Sequence, residues 1–138
     1  MKSEETNFVE ASKSYLRNLN DVFTKSIFLK TEKLANHLRK VWKEGNHLFI
    51  CGNGGSAANA IHMANDFHYG IGACGIGPVI KGLKVEALPS NVGVITCLAN
   101  DIGYENIYSH QLINKARTDD VLIVLSGSGN SQNICNAL

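Results

Sequence analysis

Two apolar runs in this chain each open into a turn built almost wholly of glycine, serine and asparagine. His47-Leu48-Phe49-Ile50 leads into Cys51-Gly52-Asn53-Gly54-Gly55-Ser56, and Val121-Leu122-Ile123-Val124-Leu125 leads into Ser126-Gly127-Ser128-Gly129-Asn130-Ser131. Each reads as a buried strand ending at the start of a helix. Glycine lets backbone approach a ligand closely and takes positive φ at little cost. The free N–H groups and positive dipole end of a following helix favour an anion. Serine hydroxyls donate to phosphate oxygens. Neither turn continues into Gly-Lys-Ser/Thr, so neither is a P-loop and no lysine waits for a terminal nucleotide phosphate. Two such cradles imply one phosphate held by both, hence a sugar phosphate rather than a nucleotide.

At 138 residues the chain is long enough to bury a core. Its net charge of +1 argues against a nucleic-acid partner. Residues 1–45 carry nine Lys/Arg against six Asp/Glu, a mild bias that reads as a solvated helix face. No apolar run approaches the roughly 18 residues needed to span a membrane, and no secretory signal is visible. Cys51, Cys74, Cys97 and Cys135 match no zinc or redox spacing, which predicts reduced, mostly buried thiols in a cytoplasmic protein.

The first glycine is Gly45 and the first proline Pro78, so residues 3–44 hold no strong helix breaker. Phe8, Tyr15, Val22 and Leu29 recur every seventh residue, and Ile27, Leu34, Leu38, Val41 and Trp42 form a second stripe. These spacings predict an amphipathic helical hairpin over 1–45, broken near Thr24–Thr31, with Thr31-Glu32 a candidate start and Gly45 the C-terminal cap. Residues 46–138 then read as α/β. Strands are expected at 47–51, 84–88 and 121–125, and helices at 56–68, 91–100 and about 104–116. A Gly-rich loop is expected at 69–82, and another helix begins after the second turn. Apolar strands separated by helices argue a parallel sheet covered on both faces. Strand 121–125 is apolar on both faces, yet the chain stops soon after it; a fragment, or completion by another chain, is expected.

On the helix after the first turn, Ala57, Ala60, Ile61, Ala64 and Phe67 share one side, and Asn59, His62 and Asp66 the other. His62 and Asp66 are i, i+4 neighbours whose side chains converge. Near a bound phosphate such a pair suits proton transfer or metal ligation; on spacing alone it is equally an ordinary surface hydrogen bond. Asn100-Asp101 suits a helix end. Gly70-x-Gly72-x-x-Gly75 has the spacing of a dinucleotide fingerprint, but it follows a predicted helix rather than a strand, so the mechanism behind that fingerprint is missing.

Taken together, Gly52-Asn53-Gly54-Gly55-Ser56, Ala58-Asn59-Ala60-Ile61-His62-Met63-Ala64, Ala99-Asn100-Asp101-Ile102-Gly103-Tyr104 and Ser126-Gly127-Ser128-Gly129-Asn130-Ser131 resemble the SIS (sugar isomerase) domain, and within it the phosphoheptose isomerases. The resemblance implies a flavodoxin-like parallel sheet in which the first and third strands lie side by side, with its C-terminal strands missing from this sequence. It implies a homotetramer assembled through the N-terminal helices. It further implies aldose–ketose isomerisation of a phosphorylated sugar, sedoheptulose 7-phosphate; a non-catalytic sugar-phosphate-binding or scaffold protein is the alternative. Ser56, Ser126, Ser128 and Ser131 would hold the phosphate, with Gly54, Gly55 and Gly127 lending backbone. Asn53 and Asp101 would meet the sugar. His62 falls on a zinc-ligand position, and Asp66 where the isomerases carry a glutamate serving as metal ligand and catalytic base.

Four departures from the pattern stand out. Asp66 is one methylene short, which draws its carboxylate back by roughly 1.5 Å. Gly127 stands where a hydroxyl side chain is usual, and Gly70 where an arginine is expected. The glutamine and histidine that complete the metal and catalytic set belong to a C-terminal helix absent from this sequence, so weak or no turnover is expected of these residues alone.

Overall fold

The computed structural model describes residues 7–70 and 80–138. Most of the expected Gly-rich loop, the rest of the Gly70-x-Gly72-x-x-Gly75 spacing and Cys74 lie outside the described residues. The chain divides into two compact units, Met1–His37 and Leu38–Leu138.

In the first unit, α1 (Phe8–Val22) begins at Asn7, whose side chain accepts from the Val9 N–H at 3.0 Å. The break falls at Phe23–Thr24, earlier than Thr31. Thr24 caps α2 (Lys25–Glu44) by accepting from the Ile27 N–H at 3.4 Å. Thr31 lies inside the helix and donates to the Ile27 carbonyl at 3.0 Å. With no breaker between Lys25 and Glu44, a threonine can sit mid-helix by bonding back one turn. The apolar stripe of α1 is exposed: Phe8 is 82% exposed, and no residue of the helix is buried.

The second unit begins within α2. Gly45, at φ +74°, ends that helix with its N–H on the Trp42 carbonyl and the Asn46 N–H on the Val41 carbonyl. This is a Schellman cap, which needs the left-handed conformation that glycine adopts freely. Three strands follow: β1 (His47–Gly52), β2 (Lys84–Ala87) and β3 (Val121–Leu125). They form a parallel sheet in the order β2-β1-β3, with Leu48 opposite Val85 and Val121, and Gly52 opposite Leu125. The first and third strands are therefore neighbours, as expected.

Alternate residues of β1 feed two cores. Leu48 and Ile50 pack with Val41, Ala60 and Leu83, while Phe49 and Cys51 pack with Leu88, Ile107, Tyr108 and Ile134. Full burial of each Val, Leu, Ile or Phe among them is worth about 1.5–3 kcal/mol. The first core is covered by the end of α2 and by α3 (Gly55–Asn65), and the second by the helices α4 (Val92–Ile102), α5 (Ser109–Lys115) and α6 (Gln132–Cys135) with their connections. The predicted helix 104–116 is a 3₁₀ turn (Tyr104–Asn106) followed by α5. Of the apolar side predicted for helix 56–68, Ala60, Ala64 and Phe67 pack into the first core together with Met63, whereas Ile61 is exposed. Cys51 is buried, whereas Cys97 and Cys135 are exposed, which corrects the expectation of mostly buried thiols. Among the described residues no helix is long and apolar enough to cross a membrane.

Candidate functional site

The two glycine–serine turns leave the carboxyl ends of adjacent strands, because β1 and β3 pair directly. Between them lies a cavity of about 110 Å³ lined by Asn53, Ser56, Leu125, Ser126, Gly127, Ser128 and Ser131. It exceeds the ~30 Å³ share of one water. The turns come this close because Gly52 has no side chain. A Cβ there would meet Ser56 Cβ at 2.7 Å and the Leu125 carbonyl oxygen at 2.8 Å.

The hydroxyls are arranged to donate. Ser126 Oγ accepts from the Gly129 N–H at 3.0 Å, and Ser128 Oγ from the Asn130 N–H at 3.3 Å. Each oxygen is thus held by the backbone while its own hydrogen stays free for a ligand. Ser131 precedes α6 and makes no capping bond. Ser56 sits in the first turn of α3, whose N-terminal N–H groups add positive potential. Among the described residues the cavity is lined by neutral groups, whose dipoles supply complementarity to an anion.

Asn53 also borders a second cavity, about 160 Å³, with Gly54, Ala57, Pro89, Val92, Ile95, Tyr104, Ile107 and Tyr108. The Asn53 side chain is held by Asn133, whose amide it pairs with reciprocally at 2.8 Å each way, and its Oδ1 also accepts from the Tyr104 hydroxyl at 3.1 Å. Asn133 and Tyr108 were not singled out from the sequence. No local sequence signal marks Asn133, because its burial and its partner arise only in the fold.

The other expected site residues stand apart. His62 Nε2 lies 3.4 Å from Asp66 Oδ2, so the i, i+4 pair forms, but both side chains are exposed and line neither cavity. Asp66 ends α3 and begins a π-helical turn, Asp66–Gly70, its N–H shared between the His62 and Met63 carbonyls. Such widened turns recur at functional sites. Gly55 opens α3 and faces open space. Asp101 lies in the last turn of α4, which runs past the expected end at residue 100 to Ile102. It accepts from Asn100 Nδ2 at 2.8 Å and from the Cys97 thiol at 3.4 Å, and it lines neither cavity. That hydrogen bond to the carboxylate, with the carboxylate's charge, raises the Cys97 pKa.

Burial acts on two further groups. It pushes the Cys51 thiol up to about 11 and is the main cause that raises the Tyr108 phenol to about 12. Tyr108 therefore stays a neutral donor beside the turn. Among the described residues no group of three or more His, Cys, Asp or Glu side chains converges to hold a metal.

A parallel α/β sheet whose adjacent strands end in two hydroxyl-rich turns around one cavity belongs to the class of open α/β domains that bind ligands beyond the carboxyl ends of their strands. Comparison with known proteins gives the class its family. The SIS domain profile matches residues 8–138, and the chain belongs to the SIS domain family. It is 35% identical over 130 residues to a phosphoheptose isomerase of Helicobacter pylori, covering 93% of this chain and 60% of that protein. It is 33% identical over 141 residues to phosphoheptose isomerase 2 of Campylobacter jejuni, covering 94% and 67%. Its fold is similar to that of a phosphoheptose isomerase from Francisella tularensis, with a TM-score of 0.69 and 27% identity over 89% of this chain and 67% of that one. The chain thus spans about three-fifths to two-thirds of the length of these relatives.

Proposed function

We propose that this chain is the phosphate-holding part of an aldose–ketose isomerase that converts sedoheptulose 7-phosphate to glycero-manno-heptose 7-phosphate. The observation that carries the reading is the single cavity on which Ser56, Ser126, Ser128 and Ser131 converge. The names of the relatives support the substrate. In this reading the phosphate sits between the turns and anchors the sugar, so that binding energy from a remote group orients the reacting carbons.

The chemistry is proton transfer. A carboxylate, Asp66, takes a proton from C1 of the ketose. The C–H electrons form the C1–C2 double bond of an enediolate, and the C2 carbonyl oxygen takes up the negative charge. A proton returned to C2 and the passage of the O1 hydroxyl proton to O2 give the aldose. Zinc would take two donors here, His62 and Asp66. Two donors fall short of the three protein ligands of a catalytic zinc site, so the described residues do not fit the metal by themselves and no step is routed through it.

The exposed apolar faces of α1 and the first half of α2 support assembly into a homotetramer. A cytoplasmic location fits free cysteines and the absence of any long apolar helix among the described residues.

The test is a coupled assay on the full-length protein with sedoheptulose 7-phosphate and zinc. Asp66→Asn is expected to lower turnover about 10²–10⁴-fold with inorganic phosphate affinity unchanged. Unaltered turnover removes Asp66 as the base. A second reading, a sugar-phosphate-binding protein without catalysis, is favoured by one observation: His62 and Asp66 line neither cavity. Phosphate binding without turnover by the full-length protein selects that reading.

A further inference from the structure

Asn133 is 2% exposed and lies on α6 just beyond the second turn. Its Nδ2 donates to Asn53 Oδ1, and Asn53 Nδ2 donates to Asn133 Oδ1, both at 2.8 Å and across 80 residues of sequence. A primary amide carries two N–H donors and an oxygen with two lone pairs. The reciprocal pair uses one of each on Asn53. The Tyr104 hydroxyl, at 3.1 Å, takes the second lone pair, and the Tyr108 hydroxyl, whose hydrogen goes to the Gly52 carbonyl oxygen, lies 3.4 Å from the same atom. One N–H of Asn53 is left, on a residue that borders the cavity between the turns.

We propose that Asn133 is a positioning residue that fixes the Asn53 amide so that its remaining N–H, and not its carbonyl oxygen, meets the anionic ligand held between the two turns. Asparagine χ2 is broad and roughly two-fold, so an untethered amide samples both faces. One face donates to an anion and the other repels it. The pair also ties the turn after β1 to the helix after β3, which holds the two halves of the cradle at one spacing. The inference rests on the reading of this cavity as an anion site.

The experiment titrates the intact chain with inorganic phosphate and follows affinity together with the ¹⁵N–¹H₂ resonances of the Asn53 side chain. In the wild type one Asn53 amide proton shifts on phosphate addition. Asn133→Leu weakens phosphate binding about tenfold, the scale of one hydrogen bond to a charged group. In an Asn53→Ala background Asn133→Leu has no further effect, an outcome that a merely structural role does not produce. Equal losses with and without Asn53, or wild-type affinity in Asn133→Leu, overturn the proposal. If Asn133→Leu fails to fold, the near-isosteric Asn133→Asp serves; it keeps the acceptor and loses the donor. It is expected to broaden or shift the Asn53 amide pair and weaken phosphate, and unchanged Asn53 resonances with unchanged affinity overturn the proposal. A wild-type chain that binds no phosphate sinks the anion-site reading itself, whereas phosphate binding indifferent to Asn133 sinks this inference alone.

Discussion

The Tyr108 hydroxyl donates to the Gly52 carbonyl oxygen at 2.5 Å, from a side chain that is 2% exposed. It joins the start of α5 to the last residue of β1, where the first serine-bearing turn begins. The same phenol packs in one core with Phe49, Cys51 and Ile134. The residue that supports the turn thus also fills the core beneath it.

Removing that hydroxyl leaves the Gly52 carbonyl without its side-chain donor while keeping the ring. Tyr108→Phe is expected to lower stability by about 1–3 kcal/mol. Urea denaturation at neutral pH checks this. An unchanged midpoint means that the bond contributes nothing net.

Alkaline pH is expected to destabilise the fold. Tyr108, raised to about 12, and Cys51, raised to about 11, both hold their protons in the native state after the unfolded chain has lost them. The native state then binds more protons, so unfolding free energy falls as pH rises. The contribution is fully present below the unfolded values, near pH 9 and 10, and is lost as pH climbs through 11 and 12. Together the two groups account for roughly 2–5 kcal/mol. Denaturation midpoints from pH 7 to 11.5 test this, and Tyr108→Phe removes its own share of the slope.

Two glycines of the cradle respond oppositely to a side chain. At Gly52 a Cβ collides with Ser56 and with the Leu125 carbonyl, whereas at Gly127 it meets nothing within 4 Å. Gly52→Ala is expected to cost about 1–3 kcal/mol and to weaken phosphate binding by spreading the turns. Gly127→Ser is expected to stay within about 0.5 kcal/mol of wild type and to strengthen phosphate binding through one more hydroxyl. Thermal melts and phosphate titration of both variants check the pair.

Thiol chemistry separates the described cysteines. Cys51 is buried with a raised pKa and is expected to resist a disulfide reagent until the protein unfolds. Cys97 and Cys135 are exposed, but the hydrogen bond from Cys97 to Asp101 raises the Cys97 pKa, so Cys135 is expected to react first. Peptide mass mapping of labelled protein at pH 8 gives the order. An Asp101→Asn change is expected to speed labelling at Cys97.

The sequence by itself determined what short-range physics controls. Gly45 ends α2 because the left-handed conformation is local. The strand beginning at His47 and the strand 121–125 follow from apolar runs bounded by turn residues, and the serine-rich turns fall at strand ends for the same reason. That β1 and β3 lie together was legible through the family resemblance, and the convergence of the four serines follows from that adjacency. Tertiary structure decided the rest. The Asn53–Asn133 pair and the Tyr108–Gly52 bond join residues 80 and 56 positions apart, so no window of sequence contains both partners. The packed face of α3 and the turn that follows it carries Ala60, Met63, Ala64 and Phe67 at i, i+3, i+4 and i+7, and the position of the sheet decides that Met63 rather than Ile61 completes it. Local backbone preferences act within a few residues, whereas the orientation of a polar side chain is settled by whichever distant partner meets its hydrogen-bonding needs.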